Sequence, residues 1–182
     1  MVSQIKVNEI IKQSGSSISI GESGDTITLP STATLSNFPD NTPYFIAGKG
    51  GSQTSVSDNA YTQVTYVTEV ADSGDNYASS TFTAPSAGKY FFSANVTITP
   101  NSGNAIQTVL QFYKNGSGLD DYRATLITEG MEIAQQQLVI SGLISLAASD
   151  TVKVYAKMNT DSGNATFADG QFSGFKLSLI HI

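Results

Sequence analysis

The chain has 182 residues and a mass of 19.2 kDa, enough for one domain of ordinary size plus a short extension. Hydrophobic residues make up 40 % and charged residues only 13 %, about half the globular norm. Their place is taken by 24 Ser, 19 Thr and 16 Gly. This composition excludes long salt-bridged helices, and the steady recurrence of Val, Ile, Leu, Phe and Tyr is not that of a disordered chain. Net charge is −6, with nine Lys and Arg spread without a cluster, so no basic face is offered to nucleic acid. No 18-residue apolar run is present, so no membrane insertion is expected. The absence of Cys excludes disulfides and thiolate metal sites.

Residues 1–42 read apart from the rest. Ser17-Ile18-Ser19-Ile20-Gly21 and Asp25-Thr26-Ile27-Thr28-Leu29-Pro30 both alternate apolar residues with Ser or Thr, the period of a half-buried strand. Strips this short bury little in a single chain. They are expected to form a stalk or docking segment ordered in an oligomer. From residue 43 onward the pattern is one strand after another. Tyr44–Ala47 and Gln63–Val70 come first, followed by Gly88–Ile98, where Tyr90, Phe92, Ala94, Val96 and Ile98 share a face. Thr108–Tyr113 leads into the hairpin turn Lys114-Asn115-Gly116. Leu138–Leu146, Thr151–Met158 and Phe172–Ile182 complete the set, and only Thr128–Gln137 has room for a helical turn. Turn signals at Asp72-Ser73-Gly74-Asp75, Asn101-Ser102-Gly103-Asn104 and Asp161-Ser162-Gly163-Asn164 are spaced as in a β-sandwich.

Four segments, in order, resemble the complement 1q globular head. Phe82-Thr83-Ala84-Pro85-Ser86-Ala87-Gly88-Lys89-Tyr90-Phe91-Phe92 is similar to its Pro-turn and aromatic strand, and Leu110–Gly116 to its strand and Lys-Asn-Gly turn. Ser141-Gly142-Leu143 followed by Asp150-Thr151-Val152, and finally Phe172-Ser173-Gly174-Phe175, resemble the remaining two. Pro43-Tyr44-Phe45 looks like the opening strand, so the likeness covers residues 43–182. It implies an all-β, ten-stranded jelly roll related to tumour necrosis factor, assembled as a threefold homotrimer. Period-two alternation points the same way at one position. With Tyr90 and Phe92 inward, Phe91 faces out, and together with Tyr44 and Phe175 it forms the expected trimer interface.

The opening Ile5-Lys6-Val7-Asn8 and the Gly24-Asp25-Thr26-Ile27-Thr28 segment resemble short tail-fibre and appendage proteins of bacteriophages. The first residues, MVSQIKVNEIIKQSG, lack the apolar centre and cleavage site of a secretory signal. Virion localisation is therefore expected, with release by lysis and residues 1–42 bound to another virion protein. The resemblance implies a phage tail fibre or appendage whose knob contacts a host-surface glycan or protein. The alternatives are a capsid decoration or head-fibre trimer that braces the shell, and a bacterial surface or secreted complement 1q-like module.

Catalytic constellations are thin, and no enzyme is expected. His181 is the only His, and no Gly-x-Ser-x-Gly elbow accompanies it. The carboxylates Asp58, Glu69, Asp72, Asp75, Asp120, Asp121, Glu129 and Glu132 show no selective pairing. Gly48-Lys49-Gly50-Gly51-Ser52 lacks the spacing of a phosphate loop. No cofactor is expected apart from calcium, for which Asp72, Asp75 and Asp161 on tight turns offer hard oxygens. Receptor contact is expected from loops carrying Asn76, Tyr77, Asn101, Asn104, Tyr122, Arg123 and Asn159, whose amides and rings suit hydrogen bonding and stacking on glycans.

Overall fold

The computed structural model describes residues 42–129, 132 and 135–177, all within one compact unit, Pro39–Ile182. The expectations for residues 1–41 and His181 lie outside the described residues. Twelve strands follow one another: β1 (Tyr44–Gly48), β2 (Gln53–Val56), β3 (Thr62–Gln63), β4 (Thr68–Asp72), β5 (Tyr77–Ala78), β6 (Thr81–Thr83), β7 (Gly88–Pro100), β8 (Ala105–Lys114), β9 (Ser117–Ile127), β10 (Gln136–Leu146), β11 (Thr151–Thr160) and β12 (Ala165–Lys176). Ten were expected, and the surplus lies in short pieces such as β3 and β5, each two residues long.

The strands form two antiparallel sheets stacked as a jelly-roll sandwich. One runs β10-β7-β12-β1-β4 with β2 beside β12, and the other β5-β6-β11-β8-β9 with β3 beside β11. Each inner face reads off the sequence with period two. Val152, Val154, Ala156 and Met158 are buried on β11, and Tyr90, Phe92, Ala94 and Val96 on β7. Asn115 and Gly116, both at positive φ (50° and 83°), make the two-residue turn whose twist suits the β8–β9 hairpin.

Aromatic rings fill the space between the sheets. Phe172 lies 4.8 Å from Phe45, 6.0 Å from Phe92 and 6.0 Å from Phe112, while Phe45 stacks on Phe82 at 5.1 Å. Buried phenols keep partners: the Tyr66 hydroxyl donates to Asn95 O and the Tyr77 hydroxyl to Tyr66 O, each at 2.9 Å. The close approach explains two glycines of the recognised segments. A Cβ on Gly174 would lie 2.5 Å from Phe92 Cδ1 and 2.9 Å from Phe45 Cε1. One on Gly142 would collide with the Tyr122 ring, whose hydroxyl donates to Leu143 O at 2.6 Å. That contact ties β9 to β10 across the open side of the sandwich.

Three strand expectations need correction. Gln63–Val70 is not one strand: the chain leaves β3, buries Val64 and Tyr66, and crosses to the other sheet before β4. Alternation persists through the crossing because both sheets share one core. The last strand begins at Ala165 and not at Phe172, since Ala165 and Phe167 already alternate into that core. Tyr122 and Arg123, expected on a loop, lie in β9, whose polar residues face water on an edge strand. No helix occurs among the described residues; Thr128 and Glu129 lie in loop and Gln136 opens β10.

Gly174→Ala is expected to cost about 1–3 kcal/mol in chemical denaturation, the usual penalty of overpacking. Gly51→Ala, which meets open space, should stay within about 1 kcal/mol of wild type. Equal stability of the two variants would show that the rings do not press on the Gly174 backbone.

Candidate functional site

The outer face of the first sheet is ordered in rows across four strands. Tyr44, Phe175, Phe91 and Leu143 pair in one row; Ile46, Ser173, Ser93 and Ser141 in the next; Gly48, Gln171, Asn95 and Val139 in the third. None of these positions carries a charge. Phe91 and Phe175 pack at 5.5 Å, and with Tyr44 and Ile46 they line an open groove of about 190 Å³. The three residues expected at a subunit contact are thus contiguous. Exposed apolar side chains also gather at both edges of this sheet. Val139 and Leu143 are exposed on β10 at one edge, and Val67 and Val70 beside or on β4 at the other.

The loops expected to meet a receptor do not converge. Asn101–Asn104 and Asp161–Asn164 share one end of the sandwich, where β7 crosses to β8 and β11 to β12. They form a reciprocal clasp. Asn101 N donates to Asn164 O at 2.8 Å, and Asp161 N to Asn104 O at 3.0 Å. The Asn101 amide donates to Asn164 Oδ1 at 2.6 Å, and Thr166 Oγ1 donates to Asn101 Oδ1 at 2.7 Å. Asn76 lies at the opposite end, beside the turn in which Ser73 N donates to Tyr44 O. Tyr77 is buried in the core, stacked at 4.7 Å on Phe45. Tyr122 and Arg123 stand within β9, and Asn159 within β11. Amide-rich text marks the corners of the fold rather than a single surface.

The calcium candidates are likewise divided. Asp161 accepts from Asn104 N at 2.8 Å and from the Asn104 amide at 3.2 Å, which holds its carboxyl below the usual range. Asp72 Oδ2 accepts from Tyr77 N at 2.8 Å at the other end, and Asp75 sits in that turn at φ 54°. No three His, Asp or Glu gather into a metal-sized group among the described residues. Lys49 is buried, its Nζ donating to Gly51 O at 3.1 Å and Thr65 Oγ1 at 3.2 Å, and burial lowers its pKa.

The recognised Lys-Asn-Gly and Asp-x-Val segments meet at the end of the sandwich where Asn76 lies. Lys114 Nζ stands 2.8 Å from Asp150 Oδ2, and the Asn115 amide donates to Asp150 Oδ1 at 2.8 Å. Ala147 N donates to Asp150 Oδ2, and Thr151 N to Asn115 Oδ1, each at 2.8 Å. Lys114, Asn115 and the Ala147 amide together hold the Asp150 carboxyl down at about 2, from an ordinary 3.8.

Sequence reasoning missed the outer face of the second sheet. Here Tyr113 stacks on Tyr155 at 4.0 Å and lies 6.0 Å from Tyr61, and Lys157 Nζ sits 5.4 Å from the Tyr61 ring centre. Lys153 pairs with Tyr113 across the strands, and Gln111 pairs with both Tyr155 and Arg123. The Gln111 amide donates to Asp120 Oδ1 at 3.1 Å, and Arg123 Nη1 reaches the same oxygen at 3.2 Å. Burial and the neighbouring Tyr61, Tyr155 and Asp120 raise the Tyr113 pKa. Alternation on β11 places Lys153, Tyr155 and Lys157 on the outside, but their meeting with Tyr61 and Tyr113 depends on register.

No family model matches the chain, and no curated protein matches it by sequence. The globular domain of zebrafish complement 1qA is similar in structure, with a TM-score of 0.50 and 18 % identity over 74 % of this chain and 97 % of that one. The described residues therefore have a complement 1q-like jelly-roll fold.

Asp150 provides the acid test of the turn cluster. Its depressed pKa contributes stability that is complete above 3.8 and lost as pH falls through about 2. The stability difference between wild type and Asp150→Asn, measured by denaturation at stepped pH, should be full at pH 5 and shrink as pH falls through about 2. A difference independent of pH would mean that the carboxylate charge does not hold the cluster.

Proposed function

We propose that the chain is a homotrimeric, non-enzymatic surface-binding protein: a complement 1q-like head carried on an N-terminal virion-docking segment, as in a phage tail fibre or appendage. The observation that carries the trimer is the set of three uncharged rows on the outer face of the first sheet, led by Tyr44–Phe175–Phe91–Leu143 and bounded by the exposed Lys89 of β7. Its exposed apolar residues fall into two unlike sets at opposite edges, Val139 and Leu143 against Val67 and Val70. An interface between unlike patches is heterologous and not that of a twofold dimer, and it makes a ring where the rotation closes. The resemblance of residues 43–182 to the complement 1q head, whose family forms threefold trimers, supplies three as the number in that ring.

The virion reading draws its support from the likeness of residues 4–38 to phage appendage proteins. The chain enters the sandwich beside the strand that ends it, Lys176 N donating to Pro43 O at 2.9 Å. The Asn101 and Asp161 turns cap the opposite end. A head entered at one end leaves the rest of its surface free for contact, and three weak sites on one particle gain affinity by avidity.

Light scattering after size exclusion should give the full chain a mass near three times 19.2 kDa. Phe91→Glu places a charge on the uncharged face without touching the core and should yield a folded monomer with an unchanged circular dichroism spectrum. A wild-type monomer would overturn the trimer. Recovery of the chain in purified virions at a few copies each supports an appendage, hundreds of copies a capsid decoration, and its absence overturns the virion reading.

A further inference from the structure

The outer face of the second sheet has no role in the proposed trimer and carries a different chemistry. Tyr61, Tyr113 and Tyr155 form one connected group of rings, from 4.0 to 6.0 Å between neighbouring centres, and Tyr61 is exposed. Lys153 and Lys157 flank Tyr155 on the same side of β11. On a chain of net charge −6, neither lysine has a carboxylate within salt-bridge reach among the described residues. The acid beside Tyr113, Asp120, is engaged by Arg123 and Gln111. The face thus has two uncompensated ammonium groups beside a run of phenol rings.

We propose that this face, Tyr61, Tyr113, Tyr155, Lys153 and Lys157, binds a polysaccharide built of uronic-acid sugars. The aromatic rings present electron-rich surfaces to the C–H face of a pyranose, and their hydroxyls meet its hydroxyls. Ammonium groups supply the charge complement of the sugar carboxylates. The two lysines are four residues apart on an extended strand, a span of about 13 Å. That span suits a chain of several rings rather than a single sugar. A neutral glycan would leave the lysines unanswered, and a basic partner would meet their repulsion. This site deepens the surface-binding reading and rests on it, since a trimer closed through the first sheet presents three such faces outward.

The test is binding of the full chain to a short oligogalacturonate, read by calorimetry at low and moderate salt, beside its neutral methyl ester and dextran sulfate. Oligogalacturonate is expected to bind and its methyl ester at least about tenfold more weakly, the size of one charge-assisted contact. Lys153→Gln with Lys157→Gln, and separately Tyr155→Ala or Tyr61→Ala, should each weaken binding by about tenfold or more, while Tyr155→Phe retains most of it. Tyr61→Ala, outside the regular strands, is the safer variant if Tyr155→Ala unfolds. The proposal is overturned if oligogalacturonate does not bind, if the methyl ester binds equally, or if dextran sulfate binds as well and the tyrosine variants change nothing. Native mass is measured on the same samples. A trimer that ignores uronates refutes this site alone, and a monomer that binds them refutes the trimer alone.

Discussion

Phe172 is the contact on which the rest of the structure depends. Its ring lies within 6.0 Å of Phe45, Tyr66, Tyr77, Phe92 and Phe112, drawn from both sheets and from the crossing between them. A central strand can place so large a ring there only if the residue two positions on carries no side chain, because Phe45 and Phe92 already press on the Gly174 backbone. The same geometry fixes the register of β12 between β7 and β1. A slip of one residue would turn Phe172 outward and Phe175 inward. The outer rows of the first sheet exist because that slip is prevented.

From this register come two outer faces with opposite characters. One carries three rows of aromatic, aliphatic, hydroxyl and amide groups without a charge, bounded by Lys89; the other combines three tyrosines with lysines and an Arg123–Asp120 pair. Uncharged surface of this extent has little to gain from water and much to gain from a second copy. Lysines beside aromatic rings stay solvated until a carboxylate arrives. In the proposed trimer the first face is buried and the second displayed, an arrangement suited to multivalent attachment.

The motifs shared with complement 1q heads have physical reasons in this chain. Lys114, Asn115 and Asp150 fasten two turns at one end; Gly142 admits Tyr122; Gly174 admits two core rings. In this chain each contact closes the two sheets at a fixed place. This is why four short segments could point to the fold while saying nothing about a ligand. Asn- and Asp-rich turns misled for a related reason. They satisfy backbone groups at the Asn101 and Asp161 corners, so their polarity is spent on the protein itself.

The sequence by itself determined the all-β class, the inward residues of β7, the hairpin at Asn115-Gly116 and the outward direction of Phe91. Each is a matter of period two or of local backbone preference, and both are written along the chain. Only the tertiary structure decided that Gln63–Val70 changes sheets, that Tyr122 and Arg123 lie in a strand, and that Tyr77 belongs to the core. It also decided that Tyr61, Tyr113 and Tyr155 form one surface. Those facts depend on which strand lies beside which and at what register. That choice is made by the packing of rings far apart in the chain, which no local pattern records.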